Sequence, residues 1–502
     1  MLDILNSFNE ILWGDAMVYL CIGVGLLFTV GTRFMQIRLI GDMVWQLMKG
    51  GDSKRGITSF QSFAMALGGR VGVGNIAGVA TAIHFGGPGS VFWMWVMGMV
   101  GAGTAFAESV LAQTFKDEVA GEYRGGPAQF IAKGTGQVWL GGLFAITSFI
   151  ACCITGPALQ SFNIADTMQI AFSIPPILVG LVIAFLFCLI VFGGMKRIGK
   201  FAEIVVPFMA IAYVVVAIIV LISCHQNIPG MFSLIFRSAF NQEAAFGGIF
   251  GGTVMWGIKR GVYSSEAGMG TGSIASAAAE VSHPVKQALA QAFSVYIDTI
   301  VVCTCTALMI LGTGMYNVAG PEGDMIVHNL PGIGEGAGYT QAAVDTLVPG
   351  FGGIFVALAI LFFAFTTILS FGFYTDSAVA FFFGKHKHLW RIQMSVKIFS
   401  AAMIIFGSLH EADLIWGLED MGVGMMVWVN LIGLILVSRP VFKLLNDYEA
   451  QKKENKNPIF RPSNIGLKGA DLWNDIADRE EQARAEGHVS QVFIRGFRHP
   501  KR

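Results

Sequence analysis

The stretch with the most chemistry in it is GGRVGVGNIAGVATAI, residues 68–83. Five glycines, Arg70 and Asn75 interrupt an otherwise apolar run. Glycine costs a helix interior roughly 1 kcal/mol relative to alanine, and a cation at membrane depth costs more. Both are tolerated where a helix comes apart, because the freed N–H and C=O groups then line a cavity or hold something. The N-terminus of a half-helix offers N–H donors to a carboxylate, and unwound carbonyls coordinate a small cation. A zwitterion together with Na+ satisfies both kinds of group. A second stretch of this kind, GGIFGGTVMWGIKRGVYSSEAGMGTG at 247–272, carries Lys259, Arg260 and Glu266. Its pairs Gly247/Gly251 and Gly248/Gly252 have the G-x-x-x-G spacing of a helix-packing face. GVGNIA also fits a dinucleotide fingerprint, but that motif needs a preceding strand and a soluble βαβ unit, and this sequence offers neither.

The elements that must position these residues are membrane spans. Of 502 residues 54% are hydrophobic and 13% charged, against about 25% charged in soluble domains. The mean hydropathy is +0.63. Runs such as EIVVPFMAIAYVVVAIIVLISC (203–224) exceed the ~18 apolar residues of a spanning helix. The expected fold is an all-α polytopic membrane protein of about eleven spans. They are expected near 16–34, 60–85, 90–113, 138–160, 176–195, 201–223, 246–270, 287–312, 350–383, 391–410 and 413–437. Basic residues gather after alternate spans: Arg33, Arg38, Lys49, Lys54 and Arg55; Lys116, Arg124 and Lys133; Lys196, Arg197 and Lys200; Lys385, Lys387 and Arg391. The loop 313–349 has Glu322, Asp324, Glu335 and Asp345 but no Lys or Arg. This asymmetry places the N-terminus outside and the C-terminus in the cytoplasm. The N-terminus MLDILNSFNEILWGD lacks the basic region of a signal peptide, so the first span is expected to stay.

With the first span set aside, each glycine-interrupted segment opens a group of five spans, and the two groups run in opposite directions. That is the pattern of an inverted-repeat secondary transporter. The chain divides into an N-terminal helix and loop (1–59), a first repeat (60–223), a second repeat (224–438) and a cytoplasmic tail (439–502). The tail reads as solvated and partly disordered, apart from a short amphipathic helix in NDIADREEQARAEG.

GRVGVGNIAGVATAIHFGGPGSVFWMW, GEYRGGPAQFI and GIKRGVYSSEAGMGTGSIASAAA closely resemble signatures of the alanine/glycine:cation symporter family. The resemblance runs from about residue 10 to 445. It implies a leucine-transporter-like fold, ten core helices in two inverted repeats plus one, and symport of small neutral amino acids with Na+ or H+. It further implies that Gly68 and Val71 give carbonyls to Na+. Gly72 and Gly74 would give N–H groups to the substrate carboxylate, and Asn75 would bind substrate or a second ion. Trp256, Gly257 and Ile258 correspond to the unwound turn of the second broken helix, which walls the substrate pocket. Thr366 and Thr367, with Ser370 one turn on, supply hydroxyls to Na+, a hard cation suited to such oxygens. Gln160 faces the substrate, and Asn163 is a weaker candidate. Helix–helix hydrogen bonds for Asn75 and Gln160, and bonds back to their own helix for the hydroxyls, are the alternatives.

Glu108 and Asp298 stand within spans, as relay or gate groups or as structural partners. Lys259, Arg260 and Glu266 read as gate and cytoplasmic-vestibule residues. Arg70 is expected to reach a carboxylate or the inner vestibule. An enzyme is not indicated: H-E-x-x-H, G-x-S-x-G and a paired-Asp motif are absent from the sequence, and the histidines lack ligand spacing. A channel would build its pore from ring-forming repeats of several subunits, whereas this chain carries its own pseudo-repeat. The seven cysteines fall in or at the ends of apolar runs and fill space. The expected partners are a small neutral amino acid, Na+ or H+, and membrane lipid, with no nucleic acid and no cofactor beyond the coupling ion. Alanine or glycine is the leading substrate and glutamine or serine the alternative. The oligomeric state is left open.

Overall fold

A computed structural model describes residues 2–47, 53, 56–320, 324–454 and 456–485. Lys49, Lys54, Arg55 and Glu322, used above for topology, lie outside the described residues, as does the end of the tail. The protein is a helical membrane protein. Among the described residues, eight helical stretches are long and apolar enough to cross a membrane, including Ser90–Thr114, Gly194–Ser223, Phe351–Phe383 and Ala412–Leu436. The only sheets described are two short hairpins, Asp117–Val119 with Glu122–Arg124 and Asn317–Ala319 with Met325–His328.

Residues 59–86 form a broken span. Helix Ser59–Arg70 starts at a capping box between Thr58 and Gln61, which satisfies two otherwise orphan N–H groups. It stops at Val71, passes through a 3-10 turn at Val73–Asn75 and resumes as Ala77–Gly86. The second break lies further along the chain than Trp256–Ile258. Helix Phe250–Ser265 is continuous through those three residues and ends at Glu266, with φ 51°. Gly268 and Gly270 follow at φ 99° and 84°, and helix Thr271–Ala277 resumes. Three positive φ values in five residues turn the chain out of the right-handed helix, and only glycine takes such values without strain. The break therefore falls in EAGMGTG, where the glycines alternate.

The two broken spans lie antiparallel. Ser62 Oγ donates to Ala275 O (2.8 Å), Arg70 Nε to Ser265 O (2.7 Å) and Thr253 Oγ1 to Gly86 O (2.7 Å). Two other spans contain π-helical turns, at Ile150–Thr155 just before Gly156-Pro157 and at Tyr296–Cys303 around Asp298. Such widened turns occur where a helix is bent for a site.

Several expectations change. Lys196, Arg197 and Lys200 sit on the first turns of helix Gly194–Ser223 and not in a loop. Segment 313–349 is built, with a hairpin and helix Ala337–Asp345, and its Tyr339 hydroxyl lies 2.7 Å from His84 Nδ1 at the end of the first broken span. Gly247, Gly248 and Gly251 are not a packing face, since a Cβ on Gly248 or Gly251 would meet open space.

The described part of the tail is folded against the body, not solvated. Helices Arg439–Lys453 and Leu472–Ala485 flank buried Phe460, and the second of them carries buried Trp473. Trp473 Nε1 donates to Gln113 O (3.0 Å), and Phe460 N to Ser282 O (2.9 Å). Lys116 lies 4.2 Å from the Tyr123 ring centre and 4.9 Å from that of Trp473. Trp473→Ala is expected to cost about 3–5 kcal/mol of local stability, seen as faster proteolysis of residues 439–485. Unchanged cleavage would mean that the tail is held elsewhere.

His283 is the second anchor. Its Nδ1 accepts from Val285 N (3.2 Å), so Nε2 carries the proton toward Asp447 Oδ2, 3.2 Å away. Burial pushes this imidazole below its ordinary value of 6.5, against the opposing pull of Asp447. The undocked state then binds the proton more readily, so docking weakens as pH falls below 6.5. Hydrogen exchange across 439–453 should quicken on acidification beyond the intrinsic rate change, and His283→Asn should flatten that response.

Candidate functional site

The two breaks meet at one place. Gly68, in the last turn before the first break, has a carbonyl that accepts from Thr367 Oγ1 (3.0 Å) and Thr366 Oγ1 (3.2 Å) of helix Phe351–Phe383. Ser370, one turn on, donates to Met65 O (2.8 Å). The three hydroxyls also reach carbonyls of their own helix, at 2.9–3.1 Å. Hydroxyl and carbonyl oxygens thus converge where the helix ends, as a hard monovalent cation requires. Among the described residues, no group of three His, Cys, Asp or Glu side chains forms a transition-metal site. Gly68 and Gly72 permit the approach: a Cβ at Gly68 would lie 2.8 Å from Val206, and one at Gly72 would lie 2.6 Å from Thr367 Oγ1.

Beyond Gly72 the freed backbone is already engaged. Gly72 N donates to Asn75 Oδ1 (2.9 Å), and Val73 N to Gln160 Oε1 (3.2 Å). Val71 N still belongs to the helix, bonded to Leu67 O at 2.8 Å. Asn75 Nδ2 reaches Asp298 Oδ1 (2.7 Å) and Ser264 Oγ (3.2 Å), so this amide ties the two breaks to the π-helical turn. Gly74 lies against the Tyr263 ring. Asn163 bonds back to Leu159 O (3.0 Å) on its own helix.

A narrow cavity of about 10 Å3, roughly the room a single water needs, lies between the breaks and helices Gly156–Phe172, Phe351–Phe383 and Ala412–Leu436. Of the expected substrate and ion residues, Gly72, Gly74, Gln160 and Thr367 line it. Tyr263, Phe371, Glu266 and Glu419 line it as well. Glu419 was missed, although a carboxylate inside the apolar run 412–436 marks itself by charge alone. Thr155 Oγ1 donates to Glu419 Oε2 at 2.5 Å.

Trp256, Gly257 and Ile258 are not among the lining residues and are not unwound. Trp256 stacks on Phe85 with ring centres 4.8 Å apart. Gly257 seats the helix against Ser90 and Trp93, where a Cβ would come within 2.5 Å of Ser90 O. Ile258 is buried in the core. Lys259 and Arg260 precede the second break, on the side of Gly86 and segment 313–349 and opposite the tail. Both pair with Asp420, at 2.7 and 3.4 Å, among Trp256, Trp416 and Trp13. Glu266 is a cavity residue and not a vestibule one.

Arg70 meets no carboxylate within 4 Å among the described ion pairs. Its guanidinium donates to Ser265 O, to Gln291 Oε1 (3.2 Å) and to Ser294 Oγ. Its Nη2 packs on Gly272, where a Cβ would collide with it. Pointing toward helices Thr271–Ala277 and Pro284–Val295, the cation is kept away from the Gly68 carbonyl. Glu108 Oε1 accepts from Asn430 Nδ2 (2.6 Å) and Gly268 N (2.9 Å) and so braces the second break.

Residues 1–462 match the sodium:alanine symporter family. The chain belongs to that family. It is 48% identical over 482 residues to YrbD of Bacillus subtilis (strain 168), provisionally described as a sodium/proton-dependent alanine carrier. That match covers 96% of this chain and 99% of the relative. The sodium/proton-dependent alanine carrier of Bacillus sp. (strain PS3) is 43% identical over 449 residues, covering 88% and 100%. GlnT of B. subtilis (strain 168), provisionally described as a sodium/glutamine symporter, is 38% identical over 459 residues, covering 91% and 92%. Among solved structures, a mutant manganese transporter of Eremococcus coleocola aligns with TM-score 0.50 at 15% identity, covering 84% of this chain and 92% of that one. This last likeness is one of fold. Membership in the symporter family makes the chain a multi-pass membrane transporter and not an enzyme, coupled to a monovalent cation.

Proposed function

We propose that this symporter moves alanine, and similarly small neutral amino acids such as glycine, with Na+. It would sit in the bacterial inner membrane with its N-terminus outside and its C-terminus in the cytoplasm. Ten core spans would form two inverted repeats, 60–223 and 224–438, preceded by one extra span. The observation that carries this reading is the pair of antiparallel breaks beside a narrow cavity, with the Thr366 and Thr367 hydroxyls converging on the Gly68 carbonyl and Ser370 on that of Met65. Na+ would bind the Gly68 and Val71 carbonyls with Thr366, Thr367 and Ser370. The amino acid would occupy the adjoining space by Gly72, Gly74 and Gln160, with Asn75 holding the breaks together. Substrate binding there must displace the Asn75 and Gln160 bonds to Gly72 N and Val73 N if those donors are to receive a carboxylate. Ion and substrate then favour each other through the shared segment, by the reciprocity of linked binding. The spans containing the breaks would tilt against the remainder to expose the site to each side in turn.

The test is uptake of labelled alanine by proteoliposomes of the purified chain under an inward Na+ gradient. Absence of Na+ stimulation would overturn the reading. The identity to GlnT supports glutamine as a second substrate, and a competition panel of graded side-chain size separates the two. The sodium/proton descriptions of two relatives support H+ as an additional coupling ion.

A further inference from the structure

Four buried carboxylates surround the two breaks and their cavity, Glu108, Glu266, Asp298 and Glu419, each no more than 2% exposed. One buried guanidinium, Arg70, stands among them. Asp420, next to Glu419, pairs with both Lys259 and Arg260, which leaves one positive charge over. With that charge, Arg70 and a single Na+ at Gly68, the four carboxylates still exceed the cations by one. Isolated ionised carboxylates are not sustained in a low-dielectric interior without compensating charge or donors.

The donors are unevenly shared. Asp298 accepts from Asn75 Nδ2 (2.7 Å), Ser264 Oγ (2.7 Å) and Thr299 Oγ1 (2.8 Å). Glu108 has Asn430 and Gly268 N, and Glu419 has Thr155. Neither oxygen of Glu266 accepts a hydrogen bond of ordinary geometry, and the side-chain donor set toward it is the hydroxyl of Thr271, which has no other partner. The remaining titratable groups facing Glu266, namely Tyr263, Tyr374 and Cys152, supply no positive charge. Glu266 is also the residue at which the second helix breaks, with its backbone in the left-handed region. Its Oε1 lies against Gly69, where a Cβ would be 3.3 Å from it and 2.7 Å from the Tyr374 hydroxyl. Gly69 adjoins the carbonyl on which Thr366 and Thr367 converge.

We propose that Glu266 is a proton-binding site of the transport cycle, protonated in the closed arrangement described here and exchanging that proton with water when the cavity opens. The step is a proton transfer only: an O–H bond forms on the carboxylate as one breaks in hydronium, and the reverse happens when the proton leaves. Against Gly69, one residue from the Gly68 carbonyl, an ionised Glu266 strengthens Na+ binding and a protonated one weakens it. The site thereby links H+ and Na+ through a few ångströms of structure. This inference rests on the sodium–alanine reading for its transport arm and on geometry alone for the proton.

The experiment measures Na+-dependent alanine uptake by the full-length chain in proteoliposomes across a pH series. Acidification should raise the half-saturating Na+ concentration several-fold in the wild type and in Glu266→Asp, and should leave it flat in Glu266→Gln. A pH response that survives unchanged in Glu266→Gln overturns the proposal. Infrared spectroscopy covers the case in which that variant does not transport. The wild type should show the carbonyl band of a protonated carboxylic acid at neutral pH, and Glu266→Asp should shift it. A missing band, or one identical in both proteins, also overturns the proposal. Wild-type proteoliposomes that ignore Na+ altogether would strike the transport reading, while the infrared band would still decide the proton on Glu266.

Discussion

Thr367→Val is expected to raise the Na+ concentration for half-maximal alanine uptake about tenfold or more while leaving the chain folded. Valine keeps the branched shape, so helix Phe351–Phe383 still packs against the first broken span. What is lost is the oxygen on the Gly68 carbonyl side of the site, 3.0 Å from it. A hydrogen-bonding or coordinating contact to a charged group is worth roughly 1.5–3 kcal/mol, and about 1.4 kcal/mol is a factor of ten. Maximal uptake at saturating Na+ should fall less than the affinity, because Thr367 touches the amino-acid space only at its edge beside Gly72. Thr366→Val should act in the same direction. An unchanged Na+ dependence in Thr367→Val would remove that residue from the ion site.

Arg70→Met is expected to have the largest effect on stability. The guanidinium spans from the first break to Ser265 O at the second and on to Gln291 and Ser294. Methionine fills much of the volume but leaves those oxygens without their donor and removes a buried cation from among four buried carboxylates. Removing one member of a buried charged network costs about 3–5 kcal/mol. Thermal unfolding in detergent should show a large loss, with Arg70→Lys in between, since a single ammonium cannot reproduce the planar fork. A melting curve like that of the wild type would show that the breaks are fastened by other contacts.

The legible part of the site was the part written in short, contiguous signals. Gly68 to Asn75 carried its own break, because glycine and polar residues crowd where a helix should be apolar. Thr366 and Thr367 were singled out by the family resemblance, and both hydroxyls reach the Gly68 carbonyl. The second break was misplaced by some ten residues because the resemblance put it at Trp256–Ile258, whereas the alternating glycines of EAGMGTG set the backbone. Trp256 and Gly257 look exceptional in sequence for a different reason, one stacking on Phe85 and the other seating a helix crossing at Ser90. Arg70 did not announce its partners, since they are neutral oxygens from two segments more than 190 residues away. The tail misled through its charge. Its two buried aromatics are few among many polar residues, and only the fold brings Gln113 and Ser282 to meet them.

The cluster around Asp420 gives the protein an optical property. Trp13, Trp256 and Trp416 have their rings within about 5 Å of the ammonium of Lys259 or the guanidinium of Arg260, and Trp13 donates its indole proton to Asp420 O at 2.9 Å. Indole emission depends on the charges and water around the ring. These three side chains come from the N-terminal segment, the second broken span and helix Ala412–Leu436, so any separation of those parts changes the surroundings of all three at once. Three of the ten tryptophans thus stand at one junction of parts, and their share of the emission follows any separation there in real time without an attached dye.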